Sequence, residues 1–193
     1  MYREALKTIE WLYDEDWSPS RIRDVCLAFE ENQIRSKTWL LSKLNTLESF
    51  YSSKSAVVVG GWYGYLASLL PTNTVSVDAD PLAEIIGKRI FPSINFITSD
   101  IDEYDISKHD MLISTAVEHI QPDKLRHMLD RHSGLVCLQS NNEFGYVSPT
   151  GDAHINCSSS LDDFINTINL KEVYYSGSLP QGDFERYMVI GEC

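Results

Sequence analysis

Residues 56–67 read Ala-Val-Val-Val-Gly-Gly-Trp-Tyr-Gly-Tyr-Leu-Ala, and this stretch decides the fold. Four small apolar residues, three of them β-branched, run into a pair of glycines. A third glycine then precedes a helix-compatible segment that continues to Leu70. The stretch predicts a buried strand, a tight turn and a helix. Glycine is required where the backbone takes positive φ or where a ligand approaches the main chain closely.

A second apolar strand, Thr74 to Val77, follows this unit and ends on Asp78. A glycine turn after one strand and a carboxylate at the tip of the next are typical of a nucleotide-binding unit, in which the acid binds ribose hydroxyls. The dinucleotide fingerprint needs glycines at i, i+2 and i+5, and counting from Gly60 or Gly61 does not supply them. A phosphate loop needs a lysine that this segment does not contain. S-adenosylmethionine, which has an adenosine but no phosphate, is the third candidate.

From about residue 55 onward the chain resembles the class I S-adenosylmethionine-dependent methyltransferases. Gly60 and Gly64 match the outer glycines of the first motif of that family, and Asp78 matches its ribose-binding acid. Asp100-Ile101 matches the acid-plus-apolar pair beside the adenine, and residues 110–120 resemble the fourth motif. The resemblance implies a doubly wound α/β sheet of seven strands, mostly parallel, with a C-terminal antiparallel hairpin strand.

Two positions depart from the family. Trp62 replaces the middle glycine of the first motif, and Val58 stands where its strand often carries an acid. Gly61 supplies space for the cofactor if the turn is re-registered, as in the Gly-Gly-Gly turn of the related aminopropyltransferases.

The resemblance also implies S-adenosylmethionine as the cofactor and a set of candidate site residues. The expected cofactor-binding residues are Gly60, Gly61, Trp62, Tyr63, Gly64, Asp78, Ala79, Asp100, Ile101, Ser114 and Thr115. Glu118 and His119 follow the fourth strand and are the candidate catalytic residues, because an imidazole with a pKa near 6.5 accepts protons at neutral pH. Candidate substrate contacts are Gln33, Lys37, Trp39, Asn141 and His154. Packing or solvation is the simpler role for each substrate candidate and for His119.

Alternating strands and helices after residue 55 predict a parallel sheet. Further strands are expected at 94–98, 110–114, 135–139, 171–175 and 186–190, with the last two paired as a hairpin because no helix fits between them. Before residue 55, apolar spacing and the Ser18-Pro19 cap predict three helices, the third running from about Gln33 to Tyr51. We therefore predict an N-terminal helical cap, 1–54, and a Rossmann-like methyltransferase domain, 55–193.

The acidic composition bears on partners and compartment. The 193 residues carry a net charge of −12, and the part after residue 55 holds 8 basic and 19 acidic side chains. Nucleic-acid binders present a basic face, so naked DNA or RNA is not the expected substrate. Four scattered cysteines, no apolar signal segment and no membrane-length run predict a cytoplasmic protein without a membrane partner. The His127 and His132 spacing suits no helix-face metal site, so no metal is expected.

The function expected from these residues is methyl transfer to a small molecule or to a protein side chain. Two alternatives stay open. An aminopropyltransferase-like enzyme would suit the acidic domain, and a non-catalytic binding subunit with a degenerate pocket would suit Trp62. The methyl acceptor and the oligomeric state do not follow from the sequence.

Overall fold

The computed structural model describes residues 2–70 and 73–193, with the side chain of Tyr2 left aside. The α-helices are α1 Tyr2–Asp14, α2 Pro19–Leu27, α3 Glu31–Leu44, α4 Glu48–Ser52, α5 Tyr65–Leu69, α6 Pro81–Ile90, α7 Pro122–Asp130 and α8 Leu161–Ile168. The strands are β1 Ser55–Val59, β2 Asn73–Asp78, β3 Asn95–Thr98, β4 Met111–Ser114, β5 Leu135–Asn141, β6 Glu172–Gln181 and β7 Phe184–Glu192. Short 3₁₀ helices cover Ile106–Lys108 and Val117–His119.

All seven strands form one sheet in the order β3-β2-β1-β4-β5-β7-β6. The first five strands pair in parallel, and β7 runs antiparallel to both of its neighbours. The chain moves outward from β1 to β3 and then returns to β4 on the other side of β1, which creates a topological switch point between β1 and β4. Ligands of open α/β sheets bind outside the carboxyl ends of the strands at such a point. The predicted fold class is confirmed.

Alternation along each strand builds a core on both faces of the sheet. Val57 and Val59 of β1 belong to one apolar cluster, which α7 and α8 cover. Ala56 and Val58 point to the opposite cluster, which includes Leu40 of α3 and Phe50 of α4. Residues 31–52 therefore form part of a helical layer on the sheet.

The predicted third N-terminal helix is wrong in extent. It ends at Leu44, and a separate helix begins at Glu48, because the Asn45–Leu47 segment forms turns rather than continuing the ladder. The break lets Leu44 and Phe50 both reach the same buried cluster, which one straight helix would not do. Helices α1 and α2 pack on α6 in a third apolar cluster.

The C-terminal hairpin is longer than predicted. Strands β6 and β7 extend almost to each other and leave only Gly182 and Asp183 as the turn, so residues 176–185 are not a long loop. Pro180 is accommodated because β6 is the edge strand, where a missing N–H costs no ladder bond. Among the residues that the structure describes, no helix is both long and apolar enough to cross a membrane.

A glycine that the first motif requires also packs against the third strand. Gly64 has a φ of 80°, and a Cβ placed there would overlap the ring of Phe96. We expect Gly64→Ala to lower the free energy of unfolding by about 2–4 kcal/mol, since left-handed strain and overpacking add. Gly182→Ala is the matched control, because Gly182 has a φ of 75° with no atom within 4 Å of the added Cβ.

Urea unfolding of the two variants measures the difference. The control carries only the backbone strain, so it should lose about 1 kcal/mol. Equal losses for both variants would show that Phe96 does not confine the turn.

Candidate functional site

A cavity of about 860 Å³ opens at the carboxyl ends of the parallel strands. Its surface combines the turn after β1, the ends of β2 and β3, the 3₁₀ helix after β4, and the long connection after β5. Helices α2 and α3 and strand β7 complete the wall. A volume of this size is typical of pockets that bury a small organic ligand.

The glycine turn after β1 takes left-handed backbone at three positions. Gly60 has a φ of 62°, Trp62 of 51° and Gly64 of 80°. For a tryptophan this conformation costs about 1–2 kcal/mol, so other contacts must hold the residue there. The Trp62 backbone N–H donates to the Asp78 carboxylate at 2.8 Å.

The indole of Trp62 is anchored to helix α2. Its Nε1–H donates to Oδ2 of Asp24 at 2.9 Å, and the ring stacks on Tyr63 with centroids 5.5 Å apart. The Tyr63 hydroxyl donates to the same Asp24 oxygen at 2.6 Å. Arg21 extends this network, since its guanidinium contacts the Tyr63 hydroxyl and pairs with Asp80 at 2.6 Å. The N-terminal helices thus fix the conformation of the turn.

Asp78 lies at the tip of β2, and its carboxylate can accept further hydrogen bonds from a ligand. One carboxylate oxygen accepts from Trp62, and the other accepts the Asp80 N–H at 3.0 Å. Each oxygen retains a lone pair, so ribose hydroxyls find acceptors there. Burial raises the pKa of Asp78 above its ordinary value, against the opposing effect of the two N–H donors.

The expected adenine-side pair lies after β3. Asp100 pairs with Lys124 at 2.7 Å and also accepts the Asp102 N–H. The hydrogen bond from Lys124 lowers the pKa of Asp100. Ile101 is buried next to it and presents an apolar surface to the cavity.

A buried ion pair stands on the other side of β4. Glu118 is 2% exposed, and its Oε1 accepts from Arg186 of β7 at 2.7 Å and from Asn141 of β5 at 2.7 Å. Its Oε2 is also buried but has no hydrogen-bond partner among the described residues. Lys37 of α3 lies in the same wall and donates to Gln33 at 2.6 Å.

The two candidate histidines, His119 and His154, lie next to each other in the cavity wall. The rings of His119 and His154 lie edge to face with centroids 4.7 Å apart. His119 Nδ1 lies 2.9 Å from Asp152 and 3.2 Å from the Ala153 carbonyl. Burial alone would lower the pKa of His119, but the Asp152 hydrogen bond and nearby carboxylates outweigh it and raise that pKa. His154 Nδ1 donates to the Glu143 carbonyl at 2.9 Å.

The structure brings most of the predicted site residues to the cavity surface. These are Gln33, Lys37, Gly60, Gly61, Trp62, Asp78, Ala79, Asp100, Ile101, Thr115, Glu118, His119 and His154.

Five predicted residues lie outside that surface, each for a physical reason. Tyr63 is buried among the N-terminal helices, and Gly64 faces Phe96. Ser114 is fully buried at the end of β4. Trp39 is partly buried and packs edge-on against Tyr175 at the border of an apolar cluster. Asn141 is fully buried and contacts the cavity wall through Glu118 and the Glu143 N–H.

The cavity wall also holds eight charged residues that were not predicted as site residues: Arg21, Asp24, Glu30, Asp80, Lys124, Glu143, Asp152 and Arg186. Arg21 and Asp24 form a local i,i+3 ion pair at 3.7 Å. Their other partners, and the Glu118 partner of Arg186, are 38 to 68 positions away, where no local spacing reveals them. A further local signal is that Arg186 is a lone cation at the start of an otherwise apolar strand segment, residues 187–190.

Comparisons with known proteins give structural neighbours only. No protein-family model matches the chain, and no curated protein matches it in sequence. The structure is similar to the N-methyltransferase NodS of Bradyrhizobium japonicum, with a TM-score of 0.61 and 14% identity over 86% of this chain and 99% of that one. A TehB-like methyltransferase of Corynebacterium glutamicum gives 0.56 and 16%, covering 88% and 93%. Human N-acetylserotonin methyltransferase, in complex with S-adenosylmethionine, gives 0.55 and 14%, covering 84% and 54%.

These neighbours superpose on more than four fifths of this chain, with TM-scores of 0.55 to 0.61. The chain therefore has the Rossmann-like fold of the class I S-adenosylmethionine-dependent methyltransferases. At 10–16% identity the likeness concerns the fold, and the chemistry must be argued from the site.

Lys37 gives a prediction about stability. Burial and the charge of Arg186 lower its pKa to about 7, while Glu118 acts in the opposite direction. The unfolded chain holds this proton up to about pH 10. The folded state therefore binds fewer protons between pH 7 and pH 10, and the free energy of unfolding should rise with pH by up to about 1.4 kcal/mol per unit.

The measurement compares urea unfolding of the native chain and of Lys37→Met from pH 6 to pH 10. We expect the variant to be more stable at pH 6 and the advantage to shrink as pH rises. Lys43→Met in the same helix is the control, because that ammonium is partly exposed over the Tyr175 ring. Parallel stability curves for Lys37→Met and the native chain would contradict the buried-lysine interpretation.

Proposed function

We propose that this chain transfers a methyl group from S-adenosylmethionine to a small molecule or to a protein side chain. The observation that carries the proposal is the glycine turn after β1 facing the same cavity as the Asp78 carboxylate at the tip of β2. Open α/β sheets bind the ribose of a nucleotide with this pair of elements. The fold of the structural neighbours supports the same function.

The residues present fit the cofactor. Gly60 and Gly61 line the cavity without side chains, and a Cβ at Gly61 would overlap Ser76, so that position does not accept a larger residue. Asp78 would accept from the ribose hydroxyls, and Ile101 would pack on the adenine. S-adenosylmethionine, when bound, supplies a methyl group that is already activated by its sulfonium.

The task of the chain is then to position an acceptor and exclude water. The cavity volume leaves space for a small acceptor or for one inserted side chain beside a nucleoside-sized ligand. His119 is the group best suited to take a proton from a hydroxyl or amine, because Nδ1 is bonded to oxygen acceptors and Nε2 is free for this role.

One observation favours aminopropyl transfer as a second candidate. Among the described residues of the cavity wall, acidic side chains outnumber basic ones by eight to four. A polyamine acceptor is cationic and would be attracted to such a wall. Two assays separate the reactions. One measures methyl transfer from S-adenosylmethionine to an acceptor, and the other measures polyamine elongation with the decarboxylated cofactor.

Calorimetric titration of the native chain tests the cofactor. We expect S-adenosylmethionine and S-adenosylhomocysteine to bind with micromolar affinity and adenosine much more weakly. Binding of adenosine alone would mean that Trp62 closes the methionine end of the site. No binding of any of the three would overturn the proposed function.

Asp78→Ala tests the ribose contact in the same titration. Loss of a charged hydrogen-bond acceptor should weaken S-adenosylhomocysteine binding by about tenfold to a hundredfold. Asp123→Asn, at an exposed position of α7, is the control and should bind like the native chain. Because Asp78 also holds the Trp62 N–H, circular dichroism must first show that the variant is folded. Unchanged affinity in a folded variant would contradict the assignment.

A further inference from the structure

Three side chains of the cavity wall converge in a way that methyl transfer does not require. Glu118, His119 and His154 each offer a potential metal-ligand atom, and these atoms lie within 4.8 Å of one another. The residues come from two segments, the 3₁₀ helix after β4 and the connection after β5. Because these residues are far apart in the sequence, no histidine spacing predicts the group.

The two segments are joined by the backbone. The Ile155 and Asn156 N–H groups both donate to the Glu118 carbonyl, at 2.8 and 3.0 Å. The connection is also closed on itself by the pairing of Val147 with Ala153. His154 is therefore held beside Glu118 by secondary contacts, and the convergence does not depend on a free loop.

Both imidazoles are oriented as metal ligands usually are. His154 Nδ1 faces the Glu143 carbonyl, and His119 Nδ1 faces the Asp152 carboxylate and the Ala153 carbonyl. These oxygens only accept, so each Nδ1 carries the proton and each neutral ring keeps its Nε2 lone pair. Metal-bound histidines almost always donate the other ring N–H to a carboxylate or carbonyl in this manner.

The third ligand is a buried carboxylate with one oxygen to spare. Glu118 Oε1 is engaged by Arg186 and Asn141, whereas Oε2 is buried and has no hydrogen-bond partner among the described residues. A buried polar atom without a partner is costly and calls for an explanation. A cation bound at Oε2 would satisfy it.

The net negative charge around these three residues is compatible with a bound divalent cation. Arg186 neutralises part of Glu118, but the Asp152 carboxylate lies 2.9 Å from Nδ1 of His119. The described cavity wall as a whole has an excess of four acidic side chains. The positive charge of a metal is thus offset locally.

We propose that Glu118, His119 and His154 form a binding site for a divalent first-row transition metal ion. Two imidazoles and one carboxylate suit Mn²⁺, Fe²⁺ or Zn²⁺ better than Mg²⁺, which prefers oxygen ligands. Three protein ligands leave coordination positions open.

The role of the ion rests on the proposed function. An open coordination position would accept a hydroxyl oxygen of the acceptor and favour loss of its proton. The site therefore indicates a hydroxyl-bearing acceptor, whose oxygen forms the bond to the methyl carbon as the bond from that carbon to sulfur breaks and its electron pair stays on sulfur. With Nε2 of His119 bound to the ion, this imidazole no longer serves as the base, and the proton leaves to solvent.

The experiment titrates tag-free, chelator-treated native chain with Mn²⁺ by calorimetry and follows bound ion by electron paramagnetic resonance. We expect one Mn²⁺ per chain and much weaker binding of Mg²⁺. His154→Ala and His119→Ala should each lower Mn²⁺ affinity by about tenfold or more. His127→Ala, which removes an exposed histidine of α7, should leave it unchanged.

Glu118→Gln is the less secure variant, because it disturbs the buried pair with Arg186 and can unfold the chain. The histidine variants keep the proposal testable in that event. Absence of saturable Mn²⁺ binding to the native chain, or equal affinity in the native chain and in both histidine variants, would overturn the site. Neither result depends on S-adenosylmethionine, so a failed cofactor titration and a failed metal titration are distinguished.

Discussion

The cavity depends on the backbone conformation of Trp62. The turn after β1 needs left-handed backbone at its middle position, where a glycine would be free of strain and a tryptophan is not. Two hydrogen bonds hold it there, from the backbone N–H to Asp78 and from the indole N–H to Asp24. Charge-assisted hydrogen bonds of this kind are worth more than the strain of one residue. Trp62, at a position where the turn would favour glycine, therefore links the turn to helix α2.

Because of that link, the N-terminal helices do more than pack against the sheet. If α2 only packed against the sheet, its loss would leave the turn intact. Instead Asp24 accepts from both aromatic residues of the turn, and Arg21 binds the Asp80 side chain that caps α6. Helix α3 covers one face of the sheet and carries Lys37 into the cavity wall. The residues before β1 thus contribute to the cavity wall as well as to the core.

The sequence predicted the elements that local chemistry specifies. Runs of β-branched residues, the glycine turn and the Asp78 tip identified β1, β2 and the part of the cavity wall at their ends, and every parallel strand was placed within a few residues. The errors arise where tertiary contacts decide. The helix predicted from Gln33 to Tyr51 is interrupted after Leu44, because Phe50 packs in the buried cluster. The hairpin is longer than predicted, because an edge strand tolerates Pro180. The spacing of Gly64 likewise gave no sign that an added Cβ there would meet Phe96.

The cavity wall divides according to the strand order. Strands β1, β2 and β3 lie on one side of β4, and the loops at their ends supply the residues that suit a nucleoside. Strands β5 and β7 lie on the other side. There the wall is formed by Lys37 of α3, Glu118 of the 3₁₀ helix, Arg186 of β7 and His154 of the connection after β5. The first set is short-range in sequence and built on the glycine turn. The second set comes from four distant segments, two of which are joined by the buried Glu118–Arg186 ion pair, and breaking such a pair costs about 3–5 kcal/mol. Groups held so firmly and left partly unsatisfied, as Glu118 Oε2 is, are more easily explained by a ligand on that side than by packing alone.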